Sequence, residues 1–149
     1  FMNYHELNPG DAIHIEPGVA HIYIQGMAVE VMEPGDNVVR AGLTIKHTDK
    51  KEFLSLLNIS AEIPQVQSVH GPDHEYAGPV ENLTVRRIED TKIEVNGSRS
   101  VDLILTTTGV SKVEHGEETQ LNPGEAFLIQ GEDLNYTIDT AGSAFLVRG

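Results

Sequence analysis

His21, Tyr23, Glu30, Asp36, Arg40 and Lys46 fall within one short stretch, and their types and spacing could do chemistry together. An imidazole suits zinc or a similar divalent ion. Residues two apart on a strand face the same way. His21, Tyr23 and Gln25 would then share one face of an extended segment, and Ala28, Glu30 and Met32 one face of the next. If those segments pair within one barrel, His21, Tyr23 and Glu30 line one cavity. Gly35 and Gly42 allow tight turns around Arg40. The planar Arg40 fork suits a hydroxyl, carboxylate or phosphate, and Lys46 adds a point charge. Asp36 stands four residues before Arg40 and could brace the loop as its ion partner.

The elements that must position these groups are legible in a repeat. Leu7-Asn8-Pro9-Gly10-Asp11-Ala12 recurs as Leu121-Asn122-Pro123-Gly124-Glu125-Ala126. In that register Ile13 and Ile15 match Phe127 and Ile129, and His21 matches Asn135. A Pro-Gly turn leading into an alternating apolar strand is a recurring β-barrel element. Two copies imply two related β units. Few residues precede the first copy, so the first unit reads as the trailing half of a barrel. The second reads as a complete barrel, metal-free because Asn135 replaces the histidine.

Between the repeats, Asp49 with Glu52 three residues on forms a capping box. Phe53, Leu54, Leu56 and Leu57 would supply the apolar face of a short helix. Residues 58–79 carry Pro64, Gly71, Pro72, Gly78 and Pro79 and read as a linker. Strands are expected at 82–88, 91–95, 101–107, 109–114, 125–129, 134–138 and 143–148, with Asn96-Gly97 as a hairpin turn. The fold class is mainly β, a small jelly roll with one short helix. The expected organisation is 1–47, trailing half of a barrel; 48–79, helix and linker; and 80–149, a metal-free jelly roll.

Composition narrows the function. The formal net charge of −13 disfavours nucleic acid and anionic membrane surfaces. No apolar run reaches the roughly 18 residues of a membrane span. No charged-then-apolar leader opens the sequence, and a cytoplasmic protein is expected. With no cysteine, disulfides and thiolate metal sites are excluded. Any metal must use His, Glu, Asp or Gln. His14 reads as structural or exposed, His70 and His74 as linker residues, and His115 as a solvated hairpin tip.

Gly10, the turn Glu16-Pro17-Gly18 and His21 resemble the second cupin motif, in which a metal-binding His follows a Pro/Gly turn. The first cupin motif is absent. The longer run is more specific. Leu7–Ala12, His21-Ile22-Tyr23-Ile24-Gln25-Gly26, Glu30-Val31-Met32, Asp36-Asn37-Val38-Val39-Arg40-Ala41-Gly42-Leu43-Thr44 and Lys46 resemble the C-terminal segment of type I mannose-6-phosphate isomerases, a zinc-dependent cupin branch. The departures are Ile45 where the family has Pro, and Glu33-Pro34-Gly35 before Asp36.

The resemblance implies a cupin-like jelly roll and interconversion of mannose 6-phosphate and fructose 6-phosphate. It implies His21 as a zinc ligand, the others lying upstream. It implies Tyr23 and Lys46 in the sugar-phosphate pocket, Glu30 as a proton carrier, Asp36 on the loop or the sugar, and Arg40 as the catalytic arginine. This chain alone is expected to be inactive. The alternative is a non-catalytic sugar- or sugar-phosphate-binding cupin module. The partner is a phosphorylated hexose, and oligomeric state is not fixed by the sequence.

Overall fold

A computed structural model describes residues 2–32, 35, 38–97, 100–132 and 134–149, and the side chains of all of these except Ser100 and Leu134. The element order is β1 (Ala12–Ile13), α1 (Lys50–Leu56), β2 (Val66–Gln67), β3 (Asp73–Tyr76), β4 (Thr84–Gly97), β5 (Ser100–His115), β6 (Glu117–Leu121), β7 (Ala126–Gly131) and β8 (Leu134–Arg148). The chain is therefore mainly β with one short helix. It divides into two compact units, residues 1–6 with 13–65, and residues 7–12 with 66–149.

The larger unit is a six-stranded antiparallel sheet in the order β3-β4-β8-β5-β6, with β7 pairing β5 as well. The first part of β5 pairs β7, from Ser100↔Gly131 to Leu105↔Ala126. Its last part pairs β6, from Ser111↔Leu121 to His115↔Glu117. The ladder is open, with no pairing between β3 and β6 among the described residues. Alternation along the strands sends Ile88, Ile93, Val95, Ile104, Val113, Ile138 and Leu146 into one core, with Phe127 packed against it.

Several strands expected as pairs are single. The expected strands 82–88 and 91–95 are one strand, β4 (Thr84–Gly97); 101–107 and 109–114 are β5 (Ser100–His115); and 134–138 and 143–148 are β8 (Leu134–Arg148). The turn-like residues between them are irregularities inside continuous strands. Asp90 takes a left-handed φ of 45° at the β4 register shift, and its carboxylate accepts the Gly142 N–H at 2.7 Å. Gly109 and Gly142 face each other across β5 and β8. A Cβ on Gly109 would lie 1.7 Å from the Ala141 carbonyl oxygen. Glycine lets the backbones close there without breaking the strands.

The stretch 58–79 also differs from its reading as a linker. It contains β2 and β3, and β3 pairs β4 from Asp73↔Ile88 to Tyr76↔Val85. Alternating Asp73, His74, Glu75 and Tyr76 suits an edge strand with one wet face. An Arg86–Asp73 ion pair joins the two strands across the sheet.

The repeated turns are built alike. At the first, Asp11 accepts from the Asn8 backbone N–H and side-chain amide, at 2.9 and 3.1 Å. At the second, Glu125 accepts from the same two groups of Asn122, at 2.8 and 3.1 Å. Gly10 and Gly124 hold positive φ values of 91° and 86°. Such a φ after Pro is the type II pattern that favours glycine. The first turn is gripped further by the Tyr76 hydroxyl, which donates to the Gly10 carbonyl at 2.6 Å.

In the smaller unit α1 begins at Asp49, whose side chain accepts from the Lys51 and Glu52 backbone N–H groups. That is the expected N-cap. The Asp49 N–H is taken by the Arg40 carbonyl at 2.9 Å. The apolar face is narrower than expected. Phe53 and Leu57 are half-buried, whereas Leu54 and Leu56 are exposed. Spacing of four explains the pair that turns inward.

Candidate active site

The stretch 20–32 was expected as two paired strands. It is extended chain instead, with no strand among its residues. A strand exists only through its ladder, and this stretch has no ladder partner among the described residues. Most of its apolar side chains stay in solvent, with Ile24 74% and Met27 83% exposed, while Val29 and Val31 are half-buried. The ends of the segment are nevertheless fixed. The Gly18 carbonyl accepts the Asn58 N–H at 2.8 Å, just past the end of α1. A Cβ on Gly18 would meet the Leu56 carbonyl at 2.7 Å, so this turn needs its glycine. At the other end the Arg40 carbonyl holds the start of α1. Residues 18–40 are thus pinned to both ends of one short helix.

Within that span two of the sequence candidates meet. The His21 and Tyr23 rings pack edge to face, with centroids 5.9 Å apart and planes at 74°. Partial burial is the largest cause raising the Tyr23 phenol above its ordinary range, followed by the Glu30 charge. The His21–Tyr23 contact therefore forms without the strand pair that was expected to gather the cluster.

His21 is also oriented. Its Nδ1 lies 3.0 Å from the Val19 carbonyl. That carbonyl can only accept, so Nδ1 carries the proton and the Nε2 lone pair is left outward. Metal-ligating histidines commonly show this arrangement, the second nitrogen donating to a backbone carbonyl. As one zinc ligand His21 fits. A complete set does not form here, because no group of three His, Asp or Glu gathers to hold an ion among the described residues.

Among the described residues, Arg40 and Lys46 make no hydrogen bond or ion pair with His21, Tyr23 or Glu30. Arg40 is half-buried, and its guanidinium makes a long 3.5 Å contact with the Val38 carbonyl. Among the described residues it has no ion-pair partner. The brace expected from Asp36 lies outside the described residues. Lys46 is exposed, with its backbone N–H donating to Thr44 Oγ1 at 3.2 Å. The remaining histidines lie apart. His14 is exposed, His115 is exposed beside the β5–β6 turn, and His70 and His74 stack edge to face at 5.8 Å.

Sequence reasoning missed one cluster in the larger unit. Asp102 is fully buried, accepts both prongs of Arg148 and also accepts from the Tyr136 hydroxyl at 2.5 Å. The available signal was parity. Asp102 shares its strand face with Ile104, a core position. A charge at such a position demands a buried partner.

The strand order and bent strands define a mainly β fold that solved phosphomannose isomerases share. A variant enzyme from Salmonella typhimurium matches 76% of this chain with a TM-score of 0.59 at 22% identity, over 31% of its own length. A zinc-bound mannose 6-phosphate isomerase matches 75% of this chain with a TM-score of 0.57 at 22% identity, over 30% of its own length. In sequence the chain is similar to mannose-6-phosphate isomerases. It is 28% identical to the Escherichia coli (strain K12) protein over 148 residues, covering 95% of this chain and 38% of that one. It is 29% identical to the Mus musculus protein, covering 99% of this chain and 38% of that one. A shorter match to mannose-6-phosphate isomerase 2 of Arabidopsis thaliana is 46% identical over 66 residues, 44% of this chain and 15% of that protein. The chain thus spans little more than a third of these relatives at most. No family model matches it.

Proposed function

We propose that this chain is the C-terminal portion of a zinc-dependent isomerase that interconverts mannose 6-phosphate and fructose 6-phosphate. The observation that carries the reading is the edge-to-face His21–Tyr23 pair, inside a segment tied to both ends of α1, with the Glu30 charge acting on the Tyr23 phenol. Similarity to mannose-6-phosphate isomerases along nearly the whole chain supports it.

Aldose–ketose isomerisation moves a proton between C1 and C2 through an enediol. The site must carry that proton, stabilise the charge that develops on oxygen, and hold the phosphate. Glu30, whose charge acts on the Tyr23 phenol, is the proton carrier. Arg40 presents a guanidinium without an ion partner among the described residues, which suits it to an enediolate oxygen. Lys46 supplies positive charge for the phosphate, and Asp36 holds the loop or contacts the sugar. Bound zinc would polarise or position sugar oxygens. His21 would hold it together with donors from outside this chain, so the chain alone is inactive. Residues 1–47 are the catalytic part under this reading, 48–72 connect, and β3 joins residues 80–149 in the terminal sheet. Among the described residues no helix is long and apolar enough to cross a membrane. The reading places the protein in the cytoplasm, where phosphorylated hexoses are handled.

The test is turnover of mannose 6-phosphate to fructose 6-phosphate by the complete protein containing this chain, with zinc supplied. Turnover that disappears on His21→Ala, with zinc content lost, supports the reading. A folded, zinc-loaded protein without turnover would replace it with a sugar-phosphate-binding cupin module.

A further inference from the structure

We infer that α1 works as a spacer between Arg40 and the turn that leads to His21, with Asp49 as the positioning residue for Arg40. The catalytic consequence rests on the isomerase reading. The anchors themselves do not.

Residues 20–32 contain no strand, so no ladder places this segment. Backbone bonds to the two ends of one helix place it instead. At the first end the Arg40 carbonyl accepts the Asp49 N–H at 2.9 Å. The Asp49 side chain meanwhile accepts from the Lys51 and Glu52 N–H groups at 3.0 and 2.9 Å. Those bonds hold residue 49 extended, at φ −124° and ψ 94°. One residue thus caps the helix with its side chain and grips Arg40 with its main chain. At the other end the Gly18 carbonyl accepts the Asn58 N–H at 2.8 Å. The next carbonyl along, that of Val19, orients the His21 imidazole. A helix rises a fixed ~1.5 Å per residue, so the spacing of its ends does not drift as a loop's would. Lys50–Leu56 therefore ties the group proposed for the enediolate oxygen to the group proposed for zinc. Among the described residues the Arg40 guanidinium has only the long Val38 contact to steady it, so its placement depends on its backbone. Small misplacements of a group that meets the transition state are costly in rate.

The two ends should fail separately. In the complete zinc-loaded protein Asp49→Ala is expected to lower kcat roughly tenfold, the scale of one lost helix cap, with KM and zinc content at wild-type values. Asp49→Asn keeps a capping oxygen and should keep kcat. Gly18→Ala puts a Cβ 2.7 Å from the Leu56 carbonyl and should lose zinc. Ser55→Ala removes only a bond to the Glu52 carbonyl within the helix and should change neither. Wild-type kcat in Asp49→Ala, zinc lost from it in step with kcat, or full zinc in a folded Gly18→Ala would overturn the inference. Should Gly18→Ala not fold, the Asp49 variants decide. Amide exchange reads the Arg40 anchor without turnover. Protection of the residue 49 amide should fall in Asp49→Ala and hold in Asp49→Asn, with Asn58 unchanged in both. If it does so while the wild-type protein does not isomerise, the isomerase reading fails and the spacer stands. If protection is equal in Asp49→Ala and wild type, the spacer fails whatever the turnover.

Discussion

The Arg148 guanidinium grips the Asp102 carboxylate through two hydrogen bonds, 2.9 Å from Nε and 2.7 Å from the terminal nitrogen. The two residues face each other across β5 and β8, and the carboxylate is wholly buried. Two parallel bonds between a planar fork and a carboxylate are the strong form of this interaction. Arg148→Ala leaves a buried carboxylate without its cation, and a loss of about 3–5 kcal/mol of stability is expected. Arg148→Lys should recover part of it, restoring charge but not the fork. Urea denaturation of both variants checks this, and equal stability of Arg148→Ala and wild type would contradict it.

Tyr136 completes the cluster. Burial first, and then its bond to Asp102 and that residue's charge, push its phenol far above the ordinary tyrosine range. A folded-state value above the unfolded one stabilises below the unfolded value and is lost as pH rises. Stability should therefore be flat through neutral pH and decline above about pH 10. In an alkaline titration Tyr136 should ionise together with unfolding. Tyrosinate absorbance of wild type and Tyr136→Phe, followed together with circular dichroism, checks this.

Gly109 is required sterically, not only conformationally. Its φ is 67°, and a Cβ would overlap the Ala141 carbonyl on the facing strand. Gly109→Ala should cost about 3 kcal/mol or more, the upper range of overpacking. Gly116 has a similar φ of 76° but open space around it. Gly116→Ala should cost only about 1–2 kcal/mol. Comparable losses in the two variants would mean the close approach is not the cause.

Asp11 ties a proton equilibrium to the first repeated turn. The Asn8 backbone N–H, then its side-chain amide, hold the carboxyl below its ordinary value of 3.8. A depressed folded value contributes stability above the unfolded value, lost as pH falls through the folded one. Asp11→Ala should therefore melt earlier than wild type at neutral pH. The gap should shrink below pH 3.8 and close once the folded carboxyl is protonated. A gap that persists unchanged into strong acid would show that the charge is not what holds the turn.

Arg40→Ala, in the complete protein, should reduce kcat by about 10²–10³, the scale of losing one oxyanion-stabilising group. Only the Arg40 backbone carbonyl holds α1, so the variant should keep its helix and melting temperature. Near-wild-type turnover would remove Arg40 from the chemistry.

The sequence by itself determined what is local. Pro-Gly turns closed by an acid two residues after the proline, the Asp49 cap of α1 and the alternation of the core strands are set by neighbours a few residues apart. Steric and hydrogen-bond rules decide such features before any tertiary contact forms. The His21–Tyr23 contact was legible for the same reason, since the two residues stand two apart in the chain. Tertiary structure decided the rest. It made single bent strands where Asp90 and Gly109 looked like breaks, because a left-handed residue ends a strand only when no neighbour completes its ladder. It gave β3 a place in what read as a linker, because pairing with β4 outweighed its weak β propensity. It left 20–32 unpaired, because a strand needs a partner that local pattern cannot supply. It also brought Arg148 to Asp102, 46 positions away in the chain, because the charge buried by the β5 alternation has to be met from a strand folded back beside it.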